Sequence, residues 1–269
     1  MPDIPDLFKH WWKQMLAVII ASMLVVGIVS YMKPKKYLSV ATAVPASSFA
    51  ADRSKIFNEN IQALYSALGT PDDLDMIVGT ARLDTVYLAV TDQFNLFDHY
   101  KMQEKGEAAR NKAASLLKKN TKVMKSEYGE LKVKTWDTDK NLAPQLANAI
   151  MEKLKAIHQD LQNAGNLATL QGLISRKEKL QQMADSRTNS VENSNQQKEQ
   201  ISQYEKLIGE YQLMVDTKPP VLITVEKAKA AAWPDQPKTV QLLVATAVLA
   251  FIFSLLAALV LERKKSTGQ

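Results

Sequence analysis

MLAVIIASMLVVGIVSYM, residues 15–32, and VQLLVATAVLAFIFSLLAALVL, residues 240–261, contain no charged side chain. At about 1.5 Å per helical residue they cover roughly 27 and 33 Å, close to the ~30 Å hydrocarbon core of a bilayer. A core helix of a soluble protein rarely stays uncharged for so long. The two runs therefore predict transmembrane helices at Met15–Met32 and Val240–Leu261. Residues 33–239 would then lie on one side of the membrane, and the tails 1–14 and 262–269 on the other. Trp11, Trp12 and Tyr31 flank the first span where interfacial aromatic rings sit. A cleaved signal peptide would have a shorter apolar run and a small-x-small cleavage site. Here the run ends in Tyr31-Met32-Lys33-Pro34-Lys35-Lys36, and Ala41-Thr42-Ala43 comes too late to serve.

The charges that set orientation conflict. Arg263-Lys264-Lys265 after the second span favours a cytoplasmic C-terminus. Lys33, Lys35 and Lys36 outweigh Lys9 and Lys13 across the first span and point the other way. The charge rule is weak for long translocated segments, so both tails are placed in the cytoplasm and the large loop outside. The net charge of +6 does not indicate nucleic acid. Basic residues alternate with acidic ones, as in Lys177-Glu178-Lys179, and others cluster beside the spans. With no cysteine, disulfides, thiolate catalysis and cysteine metal sites are excluded.

The loop begins with a strand. Tyr37–Val44 alternates, with Leu38, Val40, Thr42 and Val44 on one face and Tyr37, Ser39, Ala41 and Ala43 on the other. Residues 51–68 read as a helix, and Gly69-Thr70-Pro71-Asp72 breaks it and caps the next. Leu83, Val86, Tyr87, Val90 and Phe94 share a helical face, and Glu104–Lys119 is a charged helix. Leu131, Val133 and Thr135 alternate with Lys132, Lys134 and Trp136, a clear strand joined through a turn at Gly129 to a weaker one at Thr121–Ser126. Val221, Ile223 and Val225 alternate again before the second span. Base strands are thus expected at about 37–44, 121–137 and 221–227, held close to the bilayer.

Between the last two strands, about 139–216, lies a helical arm. Ala143, Ala147, Ile150, Leu154, Ile157, Leu161 and Ala164 form a heptad seam, and Ile201, Tyr204, Ile208, Tyr211 and Val215 continue it. The chain must go out and come back, turning either at Asn163-Ala164-Gly165-Asn166 or within 187–195; symmetric arms would put the apex near Lys177. Overall this is an α+β membrane protein: two transmembrane helices flanking an extracytoplasmic α/β base with a long, projecting, coiled-coil-like arm. Ala250, Ser254 and Ala258 give the second span a small-xxx-small packing face, and Ala17 and Ala21 begin one in the first.

No catalytic, cofactor-binding or metal-ligating set emerges, and no cofactor is expected. His10, His99 and His158 stand apart without ligand spacing, and there is no phosphate-cradling G-x-x-x-x-G-K-[ST] loop. Asp137-Thr138-Asp139 has the form of a metal–nucleotide D-x-D, but at a strand-to-helix junction aspartate as helix N-cap explains it better. Asp72, Asp73 and Asp75 have the same explanation. Tyr204 and Tyr211 could stack on sugars, yet heptad positions assign them to helix packing.

Together these features resemble the polysaccharide co-polymerase family, the Wzz-type chain-length determinants of bacterial surface polysaccharides. Three stretches carry the resemblance: the strand Tyr37–Val44 ending at Pro45; Val133-Lys134-Thr135-Trp136-Asp137 leading into Ala143-Pro144-Gln145-Leu146-Ala147-Asn148; and Val225-Glu226-Lys227-Ala228 followed by Trp233-Pro234 and Pro237. The family often carries a third proline in the last motif, which is missing here. The arm also reads as shorter than in the longest relatives. The missing phosphate loop and tyrosine cluster fit the kinase-less branch. The resemblance implies a non-enzymatic regulator of chain length. It would be a multi-pass protein of the bacterial inner membrane with its bulk in the periplasm, assembled as a homo-oligomeric ring. Its partners would be a membrane-embedded polymerase of lipid-linked O-antigen (lipopolysaccharide) or a related glycan, the lipid-linked glycan itself, and the bilayer. The alternative is an extracytoplasmic adaptor of a polysaccharide or envelope export machine. Such adaptors share the helical hairpin but usually have one anchor and glycine-rich lipoyl or barrel domains.

Overall fold

The computed structural model describes residues 4–46, 71–186 and 191–267. Among them the order is α1 (Ile4–Met32), β1 (Tyr37–Pro45), α2 (Pro71–Thr80), α3 (Asp84–Phe94), α4 (Leu96–His99), α5 (Glu107–Lys119), β2 (Thr121–Lys125), β3 (Leu131–Asp137), α6 (Leu142–Ser186), α7 (Val191–Thr217), β4 (Leu222–Glu226) and α8 (Thr239–Thr267). The helix expected at 51–68 lies outside the described residues. The chain divides into two units: Met1–Leu38 with Asp137–Lys140 and Ala231–Gln269, and Ser39–Trp136 with Asn141–Ala230.

The first unit is an antiparallel helix pair. Within α1 and α8, Trp11–Met32 and Thr239–Arg263 are long and apolar enough to cross a membrane. On α1, Met15 and Ser30 are buried, and Trp11, Ile19, Met23 and Val26 are half-buried on the same stripe. On α8, Ala250, Ser254 and Ala258 are buried. Small side chains here let the two backbones approach. Ala17 and Ala21, expected to open the matching face of the first span, are instead exposed. The stripe is set by Met15 and Ile19, and Ala17 lies about 200° round the helix from Met15 at about 100° per residue. Outside the stripe the middle of each helix presents hydrocarbon: Leu16, Leu24, Ile28, Val244, Leu249 and Phe253 are all exposed. Water would disfavour so large a continuous apolar surface, whereas lipid would not.

The second unit is an α+β domain. Its sheet runs β2-β3-β1-β4. β2 and β3 form an antiparallel hairpin with Thr121 opposite Thr135 and Lys125 opposite Leu131. The turn is closed by the Ser126 N–H to the Glu130 carbonyl (2.8 Å), with Gly129 at φ +75°. β1 pairs antiparallel with β4 through a bulge at Thr42/Ala43. Leu131, Val133 and Thr135 of β3 are fully buried while Lys132, Lys134 and Trp136 are half-exposed. Only one face of the sheet therefore carries the core. On β1 the inward residues are the small ones, Ser39, Ala41 and Ala43. Helices supply the bulk opposite them: Leu74 and Ile77 of α2, Val86 and Val90 of α3, Leu117 of α5, and Leu146, Ile150 and Leu154 of α6.

Two helix boundaries differ from expectation for local reasons. Leu83 is exposed, because a turn closed by its N–H to the Thr80 carbonyl (3.0 Å) precedes α3. The charged helix starts at Glu107 rather than Glu104, since Gly106 sits at φ +67° and interrupts any helix through it.

Candidate functional site

α6 is one continuous helix with two environments. Its first part lies in the domain core: Ala143, Leu146, Ala147, Ile150, Met151 and Leu154 are all buried. Ile150 and Leu154, read from sequence as a seam of the arm, are therefore base residues. Ile157 packs at the edge of that core. His158 is also buried, its Nε2 3.0 Å from Thr80 Oγ1. That hydroxyl already donates to the Met76 carbonyl (3.1 Å), so the ring nitrogen is the donor. Past this point α6 is packed against α7.

The two helices of the arm are unequal, 45 and 27 residues, and the expected turn within 187–195 lies partly outside the described residues. The chain does not turn at Asn163–Asn166, because Gly165 continues within α6 and its carbonyl accepts from Thr169 Oγ1 (3.0 Å). Nor does it turn at Lys177, whose ammonium lies beside Glu205 of α7 at 3.4 Å. Symmetry fails because the first part of α6 belongs to the base. Ile201, Tyr204, Ile208, Tyr211 and Val215 of α7 are half-buried, and Leu170 of α6 and Met214 of α7 are buried. Leu161, from the same heptad series as Ile150, is 57% exposed, and Met183 and Leu213 are 55% and 49% exposed. A two-helix hairpin covers one stripe per helix and leaves these side chains without cover.

Two side-chain amides fasten the returning chain to α6. Asn148 Oδ1 accepts from the Ala228 N–H (2.8 Å) and its Nδ2 donates to the Ala228 carbonyl (3.3 Å). Gln159 repeats the pattern, its Oε1 accepting from the Val221 N–H (3.2 Å) and its Nε2 donating to the Pro219 carbonyl (2.7 Å). The two amides are eleven residues apart, about three turns, and so share a helix face. Each offers a backbone-like donor and acceptor to chain flanking β4, Gln159 before the strand and Asn148 after it. Sequence reading missed this pairing. The signal lay in a polar Asn148 set among alanines and Ile150 on a helix whose neighbours are apolar.

Asp137 Oδ1 accepts from the Asp139 N–H (2.9 Å), closing a local turn five residues before α6 starts at Leu142. In the first unit, Trp11 Nε1 donates to Glu262 Oε2 (2.8 Å) at the end of the pair that carries the tails. At the other end the Lys36 N–H donates to the Gln236 carbonyl (3.0 Å), and the Asp235 N–H donates to the Lys36 carbonyl (2.9 Å). Pro237, preceded by a cis peptide bond, accepts the Thr239 N–H on its carbonyl (2.9 Å). Trp233 is 83% exposed and Pro234 is exposed.

Charge pairs tie the base helices together at the surface. Arg110 forks onto both oxygens of Asp92 at 2.6 Å, and the bond holds that carboxyl below the usual range. Lys118 reaches Asp84 at 2.7 Å. Exposed pairs of this kind each stabilise by about 0–1 kcal/mol. Beneath them Tyr87 donates its hydroxyl to the Ala81 carbonyl (2.7 Å), and burial, aided by the Asp84 charge, pushes its phenol up to about 12.

No family model matches the chain, and no curated protein matches it. Solved structures do. One described as a full-length bacterial polysaccharide co-polymerase aligns over 100% of this chain and 98% of that one, at 12% identity and a TM-score of 0.41. A fragment of WzzB, polysaccharide co-polymerase from Salmonella Typhimurium, aligns over 76% of this chain and 100% of that one, at 15% identity and a TM-score of 0.28. The chain resembles polysaccharide co-polymerases.

Proposed function

We propose that this protein is a non-enzymatic regulator of polysaccharide chain length, acting as a membrane-anchored homo-oligomer with a polymerase of lipid-linked O-antigen or a related surface glycan. The observation that carries the reading is the combination of two antiparallel apolar helices with a domain bearing a thin hairpin whose outward leucines have no cover within one copy. Neighbouring copies would cover Leu161 and Leu213 on the arm. The bulk of the chain lies in the periplasm of the inner membrane, and both tails lie in the cytoplasm. Trp233, Pro234 and Pro237 form a stiff connection through which ring geometry reaches the second span and the polymerase.

Deleting the gene and resolving the surface glycan by gel tests this. The expected result is a changed length distribution with synthesis intact, reproduced by Pro234→Ala/Pro237→Ala in the full chain. Loss of export with polymer accumulating inside the cell would overturn the regulator and favour an export adaptor. Reporter fusions at Ser126 and Gln269 should report opposite sides of the membrane.

A further inference from the structure

The hairpin of β2 and β3 turns Leu131, Val133 and Thr135 into the core and its other face away from it. On that outer face stand Lys122 and Met124 of β2 with Lys132, Lys134 and Trp136 of β3. The charge of Lys132 is met by Glu130 at 2.8 Å. Lys122 and Lys134 stand directly opposite each other. The Ser126 N–H to Glu130 carbonyl bond (2.8 Å) and the Trp136 N–H to Asn120 carbonyl bond (2.9 Å) lie on the same ladder. They make 122/134 a hydrogen-bonded pair, with Cα atoms about 5.5 Å apart. Among the described residues no carboxylate pairs with either of these two ammonium groups. Like charges placed so repel. Lysines commonly guard the edge of a sheet, but of these two strands only β2 is an edge, and Lys134 lies on β3 between β2 and β1. Trp136, half-exposed, follows Lys134 on the same face about 7 Å along the strand.

We infer that Lys122 and Lys134 clamp the acid group of a sugar, a carboxylate or phosphate, whose C–H face packs on Trp136. One anion between the two ammonium groups turns their repulsion into attraction, and the indole supplies the apolar surface that a pyranose ring covers. An acidic peptide matches less well, because peptides add to sheets at an edge through main-chain bonds that a face does not offer. So does an anionic bilayer, since a flat surface would also meet the Glu130 carboxylate on the same face. The inference rests on the polysaccharide reading above, to which it adds direct contact with an acidic sugar.

The test titrates the full-length protein, in phosphatidylcholine nanodiscs, with oligogalacturonate, following binding by thermophoresis. Wild type should bind the acid oligomer and lose it when the same oligomer is methyl-esterified, which removes the charge and keeps the sugar. Lys122→Gln/Lys134→Gln should weaken binding about 25-fold, about fivefold for each lysine. Its thermal midpoint should be no lower than wild type, because the repulsion has gone. Trp136→Leu should weaken binding about fivefold with both lysines intact. Lys112→Gln/Lys155→Gln, the same charge change elsewhere in the domain, should bind like wild type. The inference falls if wild type ignores the acid oligomer, if the esterified oligomer binds as well, or if the Lys122/Lys134 variant binds unchanged. A lowered midpoint in that variant, or equal loss in the Lys112/Lys155 variant, also overturns it. Inorganic phosphate bound as tightly as the oligomer would overturn the sugar, because Trp136 would then contribute nothing. Glycan length is read separately by gel: failed binding with a changed length distribution removes this site and leaves the regulator, and an unchanged distribution with binding intact does the reverse.

Discussion

The two parts of α6 have the same periodicity and opposite fates. Up to His158 its apolar residues are sealed beneath α2, α3 and the sheet, and Ile150 and Leu154 are completely buried. Beyond Gln159 the same spacing continues, but among the described residues the helix packed alongside is α7, and Leu161 is more than half exposed. A heptad pattern states that a stripe will be covered and is silent about what covers it. In the base the cover is the rest of the domain; in the arm it is one helix and, by the proposal above, other copies.

The sharpest way to break this contrast is truncation at equivalent positions. Leu154→Ala should cost about 2–5 kcal/mol, seen as a lower denaturant midpoint of the full-length protein in detergent. Leu161→Ala should stay within about 0.5 kcal/mol in the same measurement while reducing oligomer mass by light scattering. Equal destabilisation at both would erase the distinction between base and arm.

The boundary itself can be probed at its two amide clasps. Asn148→Ala strands the N–H and carbonyl of Ala228 and should cost about 1–3 kcal/mol, with faster hydrogen exchange at that amide. A protected Ala228 amide in the variant would show that the sheet, and not Asn148, holds the return strand.

The smallest effects lie in pH, and they sharpen where the base ends. Tyr87 has a phenol raised from 10.0 to about 12, so the stability its burial supports is complete below pH 10 and is lost as pH climbs through about 12. Tyr87→Phe should flatten that alkaline limb. Asp92 moves the other way: its carboxyl is lowered by Arg110, so its contribution is present above the ordinary carboxylate range and disappears as pH falls through the lowered value. Asp92→Asn should flatten the acid limb only. If either substitution left its limb of the pH–stability curve unchanged, that group would not be a source of the base's pH sensitivity.

Much of this architecture was legible in the residues. Uncharged runs of membrane length mark α1 and α8, because carrying a charge into hydrocarbon is costly wherever the rest of the chain goes. Strict alternation marks β1 and β3, because a strand with one buried face has a period of two. The arm was visible as a long stretch free of helix breakers. Of its two candidate turns, Asn163–Asn166 misled, since Gly165 is tolerated inside a helix; the other, within 187–195, lies partly outside the described residues.

By itself, then, the sequence determined which of the described segments are helix and strand and which helices are long and apolar enough to cross a membrane, since these follow from local periodicity and from the cost of exposing apolar surface. The tertiary structure alone decided what does the covering. It assigned Ile150 and Leu154 to the base, turned Ser30 rather than Ala17 towards the second span, and joined Asn148 to Ala228 across eighty residues of chain. Partner choice depends on distances between segments remote in sequence, and no spacing within one helix encodes them.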